Sequence, residues 1–355
     1  MTKTDNFPIP RVDDCIDRVG HAKFISKFDF LKGYWQVGLT ERAKALSAFI
    51  TRDGLYECIV MPFGMKNSAS TFQRLMNIVV RGLKDCVVYI DDVVIFSDNW
   101  TSHMLQIKAF FEAVRDAGLV INLAKCDFAR ATVEYLGHKV GCGKVAPKDA
   151  NVQTILQFPI PTCRRDVRRF LGVAGYYRRF VKNYADVTCP LTDLLKKESR
   201  FKWSENCQSA FDKIKSILTN YPVLQSPDWT KPFTLSIDAS DLGVGAVLSQ
   251  HVSVNEEHPV AYFSKKLIDA QRKYSTIEKE TLSLILALQH FEVYLQGTSF
   301  PLRVVTDHNP LLFLNKFKNK NQRLTRWSLF LQEWDLEISH VKGKENVVPD
   351  ALSRV

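Results

Sequence analysis

The 355-residue sequence predicts three successive units: an α+β unit, a helical middle segment and a terminal α/β layer sandwich. Three observations lead there. In the first third, apolar runs of period two alternate with amphipathic stretches of helical period. From about residue 147 to 220 helical patterns dominate and basic residues concentrate. After a proline-containing stretch, the order becomes strand, glycine turn, strand, long helix, strand, helix, strand and short terminal helix. The length itself fits two or three domains.

Each element has a local reason. "VDDCIDRVG" reads as a short helix stopped by Gly20. "KFISKFDF" alternates and reads as a strand ending near Asp29. "SAFITRDGLYECIVM" is a hairpin turning at Asp53-Gly54. "SASTFQRLMNIVVRG" starts at serine caps and ends at Gly82, so it is a helix. "VVYIDDVVIF" is a hairpin with Asp91 and Asp92 at its bend, and "SHMLQIKAFFEAVRDAG" is an amphipathic helix. "RRDVRRFLGVAGYYRRFVKNY" reads as two helices and "AFDKIKSILTN" as another, after a Ser204 cap. Tyr221 to Lys231, with Pro222, Pro227 and the adjoining Pro232, reads as a linker. "PFTLSIDAS" opens the last unit, whose long helix runs near 276–295 and whose later strands are "LRVVTDHN" and "LEISHVKG".

Composition narrows the function. A net charge of +10 points to polyanionic partners. The eight cysteines form no CxxC pair and have no histidines at zinc-finger spacing, so they read as free thiols of a reducing compartment. The N-terminus has no apolar signal core, and the longest strongly apolar run, "LSLILAL", is too short to span a bilayer. The expectation is a soluble, intracellular protein with no membrane partner.

Two groups of acids carry the chemistry. Asp91-Asp92 interrupt a run of valine and isoleucine, where an unpartnered carboxylate is costly. If Asp29, at the end of another strand, meets them, three close anions need cations. Two divalent ions about 4 Å apart are the arrangement used for in-line phosphoryl transfer, and magnesium suits an oxygen-only site. By itself the pair reads more simply as a solvated Asp-Asp turn. In the last unit Asp238, Glu280, Asp307 and Asp350 are widely spaced. Leu235 and Ile237 share one face of their strand and Asp238 takes the other. Pattern alone does not separate Glu280 from Glu278, and Asp350 after Pro349 also fits a helix start.

The surrounding motifs resemble the reverse transcriptase of gypsy-type LTR retrotransposons. "SKFDFLKGYWQVGL", "MPFGMKNSASTFQRLM", "VYIDDVVIFS", "GLVINLAKCDF" and "EYLGHKV" are similar to that family's motifs in order, and "FLGVAGYYRRF" resembles its thumb and connection. "LSIDASDLGVGAVLSQ", "YSTIEKETLSLILAL", "RVVTDHNPL" and "HVKGKENVVPDALSRV" are similar to the four blocks of its RNase H domain. The resemblance implies an α+β right-hand polymerase, palm with partial fingers and helical thumb/connection, followed by an α/β RNase H-like domain. It implies boundaries at 1–140, 141–228 and 229–355. The chain opens close to the end of the fingers, so the expectation is a Pol polyprotein fragment without the N-terminal fingers.

The same resemblance implies RNA-directed DNA polymerase and ribonuclease H activities, with RNA template, DNA primer, RNA/DNA hybrid and dNTPs as partners. It implies two Mg2+ ions per active site, with Mn2+ able to substitute. Asp29, Asp91 and Asp92 become the polymerase metal ligands. Tyr34 matches the aromatic position that blocks a nucleotide 2′-hydroxyl, Phe63 and Gly64 lie near the templating base and nucleotide, and Lys125 faces the leaving pyrophosphate. Asp238, Glu280 (favoured over Glu278 by block alignment), Asp307 and Asp350 become the nuclease ligands. His340 matches a histidine associated with proton transfer and product release. Arg164, Arg165, Arg168, Arg169, Arg178, Arg179 and Lys182, with Lys316, Lys318, Lys320, Arg323 and Arg326, become candidate phosphate contacts. Either cluster also reads as a solvated face, and Trp327 and Trp334 read as helix core. The implied location is cytoplasm, virus-like particle or nucleus. The competing reading is a truncated or domesticated nucleic-acid-binding remnant, without polymerase activity or with RNase H alone.

Overall fold

A computed structural model describes residues 2–197, 200–220, 223–253, 256–306 and 322–341. The chain divides into two compact units, Met1–Val145 and Ala146–Val355.

The first unit contains α1 (Val12–Val19), β1 (Phe24–Asp29), α2 (Glu41–Leu46), β2 (Phe49–Thr51), β3 (Gly54–Tyr56), α3 (Ser68–Val79), β4 (Cys86–Tyr89), β5 (Asp92–Ser97), α4 (Trp100–Asp116), β6 (Asp127–Arg130), β7 (Thr132–Tyr135), β8 (His138–Gly141) and β9 (Lys144–Pro147). The main sheet has the order β4-β5-β1-β6. Its core gathers Phe28, Val88, Val93 and Ile95 from the strands with Phe72 and Met76 of α3 and Ile107 and Phe110 of α4. Phe28 and Phe110 lie 4.6 Å apart between ring centroids. Burial of such aromatic and aliphatic groups is the main force holding the helices on the sheet. β2 and β3 form the hairpin expected at Asp53-Gly54.

The second unit contains α5 (Asp149–Leu156), α6 (Arg164–Tyr176), α7 (Tyr184–Val187), α8 (Cys189–Asp193), α9 (Glu205–Thr219), β10 (Leu224–Gln225), β11 (Thr234–Ala239), β12 (Gly243–Ser253), β13 (Glu256–Lys266), α10 (Asp269–Arg272), α11 (Thr276–Leu295), β14 (Leu302–Thr306), α12 (Gln322–Leu331) and β15 (Leu336–His340). Its sheet has the order β13-β12-β11-β14-β15, with β11, β14 and β15 parallel. α11 covers one face, where Leu235, Ile237 and Leu248 meet Leu284, Leu288 and Phe291. Trp327 and Trp334 pack against this core.

Three expectations change. Residues 127–147 fold as four short strands where the sequence reading placed none. Each has four residues, Ala129 inside β6 has a positive φ, and the turns that follow place Leu136 and Cys142 at positive φ, so the usual Asn-Gly or Asp-Gly signal is missing. Gly141 is needed for contact as well as conformation: a Cβ there would overlap the Ala131 carbonyl oxygen. The described part of the 221–231 linker is packed rather than free. Leu224 and Ser226 are buried, and Gln250 clasps the segment through the Asp228 N–H at 2.8 Å and the Asp228 carbonyl at 2.8 Å. α3 begins after Asn67 with no side-chain cap and ends at Val79, before the turn at Gly82. Among the described residues no helix is long and apolar enough to cross a membrane.

Candidate active sites

The first site grows from strand register. β1 and β5 are antiparallel, with Asp29 directly opposite Asp92, and Tyr89 of β4 faces Asp92 from the other side. Ile90 and Asp91 make the turn, and Ile90 takes a φ of 57°. A β-branched residue in the left-handed region persists only when its surroundings hold it there. Gln73 of α3 does so. The Ile90 N–H donates to Gln73 Oε1 at 2.6 Å, while Gln73 Nε2 donates to the Val88 carbonyl at 3.2 Å and to Asn77 Oδ1 at 2.9 Å. Gln73 is 1% exposed. Sequence reasoning missed this residue. Its signal was a polar side chain between Phe72 and Met76 on the buried face of an amphipathic helix.

Burial pushes the Asp91 and Asp92 carboxyl groups above the usual carboxylate range. Neighbouring acids push the same way, while Lys125 counteracts at Asp91 and Lys27 at Asp92. Lys125 Nζ, itself exposed, lies 3.8 Å from Oδ2 of half-buried Asp29, a partly solvated pair that relieves little of the repulsion. The 3-10 turn over Gly33–Gln36 passes beside the acids: a Cβ on Gly33 would lie 3.6 Å from Asp91 Cβ. Tyr34 follows, its ring centroid 5.4 Å from Phe63 and 5.5 Å from Phe72. Burial, then the Asp91 charge, raises its hydroxyl pKa. Phe63 is exposed and Gly64 has a φ of 87°. Asp29, Asp91, Asp92, Tyr34 and Lys125 thus fall together, with Phe63 against Tyr34.

The second site joins a strand end to a helix. Asp238 is exposed on β11, opposite Gly245 of β12. Glu280, 4% exposed, lies near the start of α11. One turn later the Ser283 hydroxyl lies 3.1 Å from both the Asp238 and the Gly245 carbonyl oxygens, so the helix is fixed to the strand end. Lys279 Nζ reaches Asp241 Oδ1 at 2.5 Å in the turn after Asp238. The structure also separates the two glutamates that pattern could not. Glu278 accepts from the Ser275 N–H at 2.9 Å and hydroxyl at 3.0 Å, and from Arg323 Nη1 at 2.7 Å. It is a capping-box and ion-pair residue.

His340 ends β15, in register with Thr306. Asp307, Asp350, Lys316, Lys318 and Lys320 lie outside the described residues. In α6, Arg165, Arg168 and Arg169 are exposed and Arg164 is half-buried, opposite buried Val167, Phe170 and Ala174. Arg178 and Arg326 are exposed and Lys182 is half-buried. Arg179 needs correction as a surface contact: it is 7% exposed, packed inside its unit. Arg323 is committed to Glu278 and sits 3.9 Å over the Tyr274 ring.

Among the described residues no three acidic, histidine or cysteine side chains close into a metal-holding group. The donor chemistry of the first site nevertheless fits a hard divalent cation. It offers carboxylate oxygens only, on a register that places Asp29 and Asp92 face to face, and burial, with neighbouring acids adding to it, raises the pKa values of Asp91 and Asp92.

Residues 1–140 match the family model for reverse transcriptase (RNA-dependent DNA polymerase), and residues 228–334 match that for the RNase H-like domain found in reverse transcriptase. The retrovirus-related Pol polyprotein from transposon 297 of Drosophila melanogaster is 40% identical over 358 residues, covering 100% of this chain and 33% of that protein. The chain belongs to the reverse transcriptase–RNase H regions of retrotransposon Pol polyproteins. The transposon Tf2-3 polyprotein of Schizosaccharomyces pombe is 34% identical over 357 residues, covering 99% of this chain and 27% of that polyprotein. The chain therefore spans about a third of these curated relatives. Among solved structures, a foamy viral protease-reverse transcriptase in complex with double-stranded DNA aligns with a TM-score of 0.84 at 19% identity, over 96% of this chain and 60% of that one. Another, in complex with an RNA/DNA hybrid, gives 0.78 at 19% identity, over 99% and 48%. These likenesses show the reverse transcriptase–RNase H fold.

Proposed function

We propose that this region is an RNA-directed DNA polymerase with RNase H activity, serving replication of a retrotransposon. The observation that carries the reading is the register that sets Asp29 against Asp92 with Asp91 in the adjoining turn. Reverse transcriptase and RNase H domains generally depend on divalent metal ions, and we assign Mg2+ here, with Mn2+ as a substitute. At such carboxylates a divalent ion supplies activation of a hydroxyl or water and neutralisation of phosphate charge.

In the first unit Asp29, Asp91 and Asp92 hold the ions and orient the primer 3′-hydroxyl and triphosphate. Tyr34 and Phe63 wall the nucleotide sugar and base, Gly64 lets the backbone approach them, and Lys125 offers positive charge to the leaving pyrophosphate. In the second unit Asp238, Glu280, Asp307 and Asp350 hold the nuclease ions, and His340 moves a proton at the product end. The exposed arginines of α6, with Arg178, Lys182 and Arg326, bind template-primer phosphates. The domains assigned to these roles are 1–140, 141–228 and 229–355. The foamy viral relatives whose structures contain double-stranded DNA and an RNA/DNA hybrid support these partners. Eight free thiols support placement in a reducing, intracellular compartment.

The intact chain should extend a DNA primer on an RNA template with Mg2+ and dNTPs. Asp91→Asn should lower that rate by ~10³-fold or more, the scale of losing a group needed in the transition state. No extension by the parent chain, or equal extension by the variant, would sink the polymerase assignment.

A further inference from the structure

The face of the second unit's sheet that carries Asp238 is opposite the face covered by α11. Register places Gly245 opposite Asp238, Ser264 opposite Gly245, and Lys266 opposite Gly243, so these residues share one face. The segment from Asn183 to Asp193 packs directly on it. A Cβ on Gly245 would overlap Asn183 Oδ1, and a Cβ on Gly243 would overlap Asp186 Oδ1. Neither glycine is among those at positive φ, so a larger residue at either position would displace these side-chain contacts rather than strain the backbone. The Ala185 N–H donates to Ser264 Oγ at 2.9 Å. Lys266 Nζ donates to Thr192 Oγ1 at 3.2 Å and Asp193 Oδ1 at 2.8 Å.

Within this contact Asp186 reaches the turn that follows Asp238. Ser240 Oγ lies 2.9 Å from Asp186 Oδ2. The same oxygen accepts from the Gly243 N–H at 2.9 Å and the Leu242 N–H at 3.2 Å. The Gly243 carbonyl accepts from the Ser240 N–H at 2.8 Å and lies 3.0 Å from the Ser240 hydroxyl, so that hydroxyl has two acceptors in reach, this carbonyl within the turn and Asp186 outside it. On the other side the turn is held by Lys279, next to Glu280, through Asp241. The turn between β11 and β12 is thus fixed from two directions, by the helix that bears Glu280 and by the 183–193 segment.

We infer that Asp186 is a positioning residue for the nuclease site: by accepting from Ser240 it fixes the turn after Asp238, so that seating of the 183–193 segment on the sheet sets the placement of Asp238. The inference rests on the nuclease reading of Asp238. It extends the second site beyond the residues matched by the RNase H-like family model, which begin at 228.

The test uses the intact chain, with Asp186→Ala, Asp186→Asn, Ser240→Ala and the Asp186→Ala/Ser240→Ala double variant. Backbone hydrogen exchange is read by mass spectrometry without metal, alongside kcat and KM for cleavage of a labelled RNA/DNA hybrid with Mg2+. Asp186→Ala should speed exchange over 239–245 by about 10-fold and lower kcat by a similar factor, with KM for the hybrid unchanged; 1.4 kcal/mol corresponds to tenfold. Asp186→Asn keeps an acceptor oxygen and should restore both readouts. In the Ser240→Ala background, Asp186→Ala should change neither. Unchanged exchange in Asp186→Ala, or effects of the two alanine variants that multiply, would overturn the inference. A parent chain that cuts no hybrid would overturn the nuclease reading instead, and exchange would still decide whether Asp186 holds the turn.

Discussion

In the first unit Asp29, Asp91 and Asp92 belong to two paired strands and one turn, and a single buried glutamine fastens that turn. In the second unit Asp238 and Glu280 come from a strand end and a helix, tied by Ser283, by Lys279 to Asp241 and by Asp186 to Ser240. Backbone register does most of the positioning in the first case. Side-chain hydrogen bonds between separate elements do it in the second. A site of the first kind is tolerant of surface change but intolerant of a slip, since moving one residue along a strand turns every side chain to the other face. A site of the second kind can be loosened piece by piece.

The contrast breaks most sharply at the two buried glutamates. Glu280→Gln should lower hybrid cleavage by ~10³-fold or more while leaving thermal stability unreduced, because it removes a ligand charge. Glu278→Gln should retain cleavage within about 10-fold and cost ~1–3 kcal/mol of stability, through the lost ion pair and capping bonds. Cleavage rates and melting curves of both variants, taken together, check the assignment; the reverse pattern would exchange their roles. Gln73→Ala comes next. It frees the Ile90 turn and leaves buried polar groups without their acceptor and donor, so primer extension should fall ~10- to 100-fold, with ~1–3 kcal/mol of stability lost. Steady-state extension and denaturant unfolding measure the two effects. The smallest effect is expected from Asp92→Asn in metal-free protein. Its carboxyl pKa is raised in the fold, so at pH above that raised value the ionised group disfavours folding, and the penalty disappears as pH falls through it. Neutralising it should raise the metal-free Tm by a few degrees, since about 1 kcal/mol moves Tm by roughly 4 °C. The gain should vanish in acid, where the parent is already protonated.

The same contrast explains what was legible. Valine and isoleucine on both sides of Asp91-Asp92 made the central hairpin readable, and Asp53-Gly54 marked another. The long helix over Thr276–Leu295 was equally plain from its apolar content. The strands of 127–147 were not, because they are short and turn partly on residues other than glycine. The segment after Tyr221 looked like a linker because prolines mark breaks, while the clasp by Gln250 comes from a strand distant in sequence. Glu278 and Glu280 share a helix start with similar apolar spacing, and it is the bonds from Ser275 and Arg323 that mark out Glu278. Asp186 carried no motif. Its relation to Asp238 exists through Ser240 and the absent side chain of Gly243.

The most direct measurement runs primer extension and hybrid cleavage side by side, with Mg2+, on single preparations of Asp29→Asn and Asp238→Asn. Two separate carboxylate sites predict that Asp29→Asn loses extension but still cuts the RNA strand, while Asp238→Asn stops cutting but still extends. Loss of both activities in either variant, or survival of the targeted activity, would contradict the division of this chain into a polymerase site and a nuclease site.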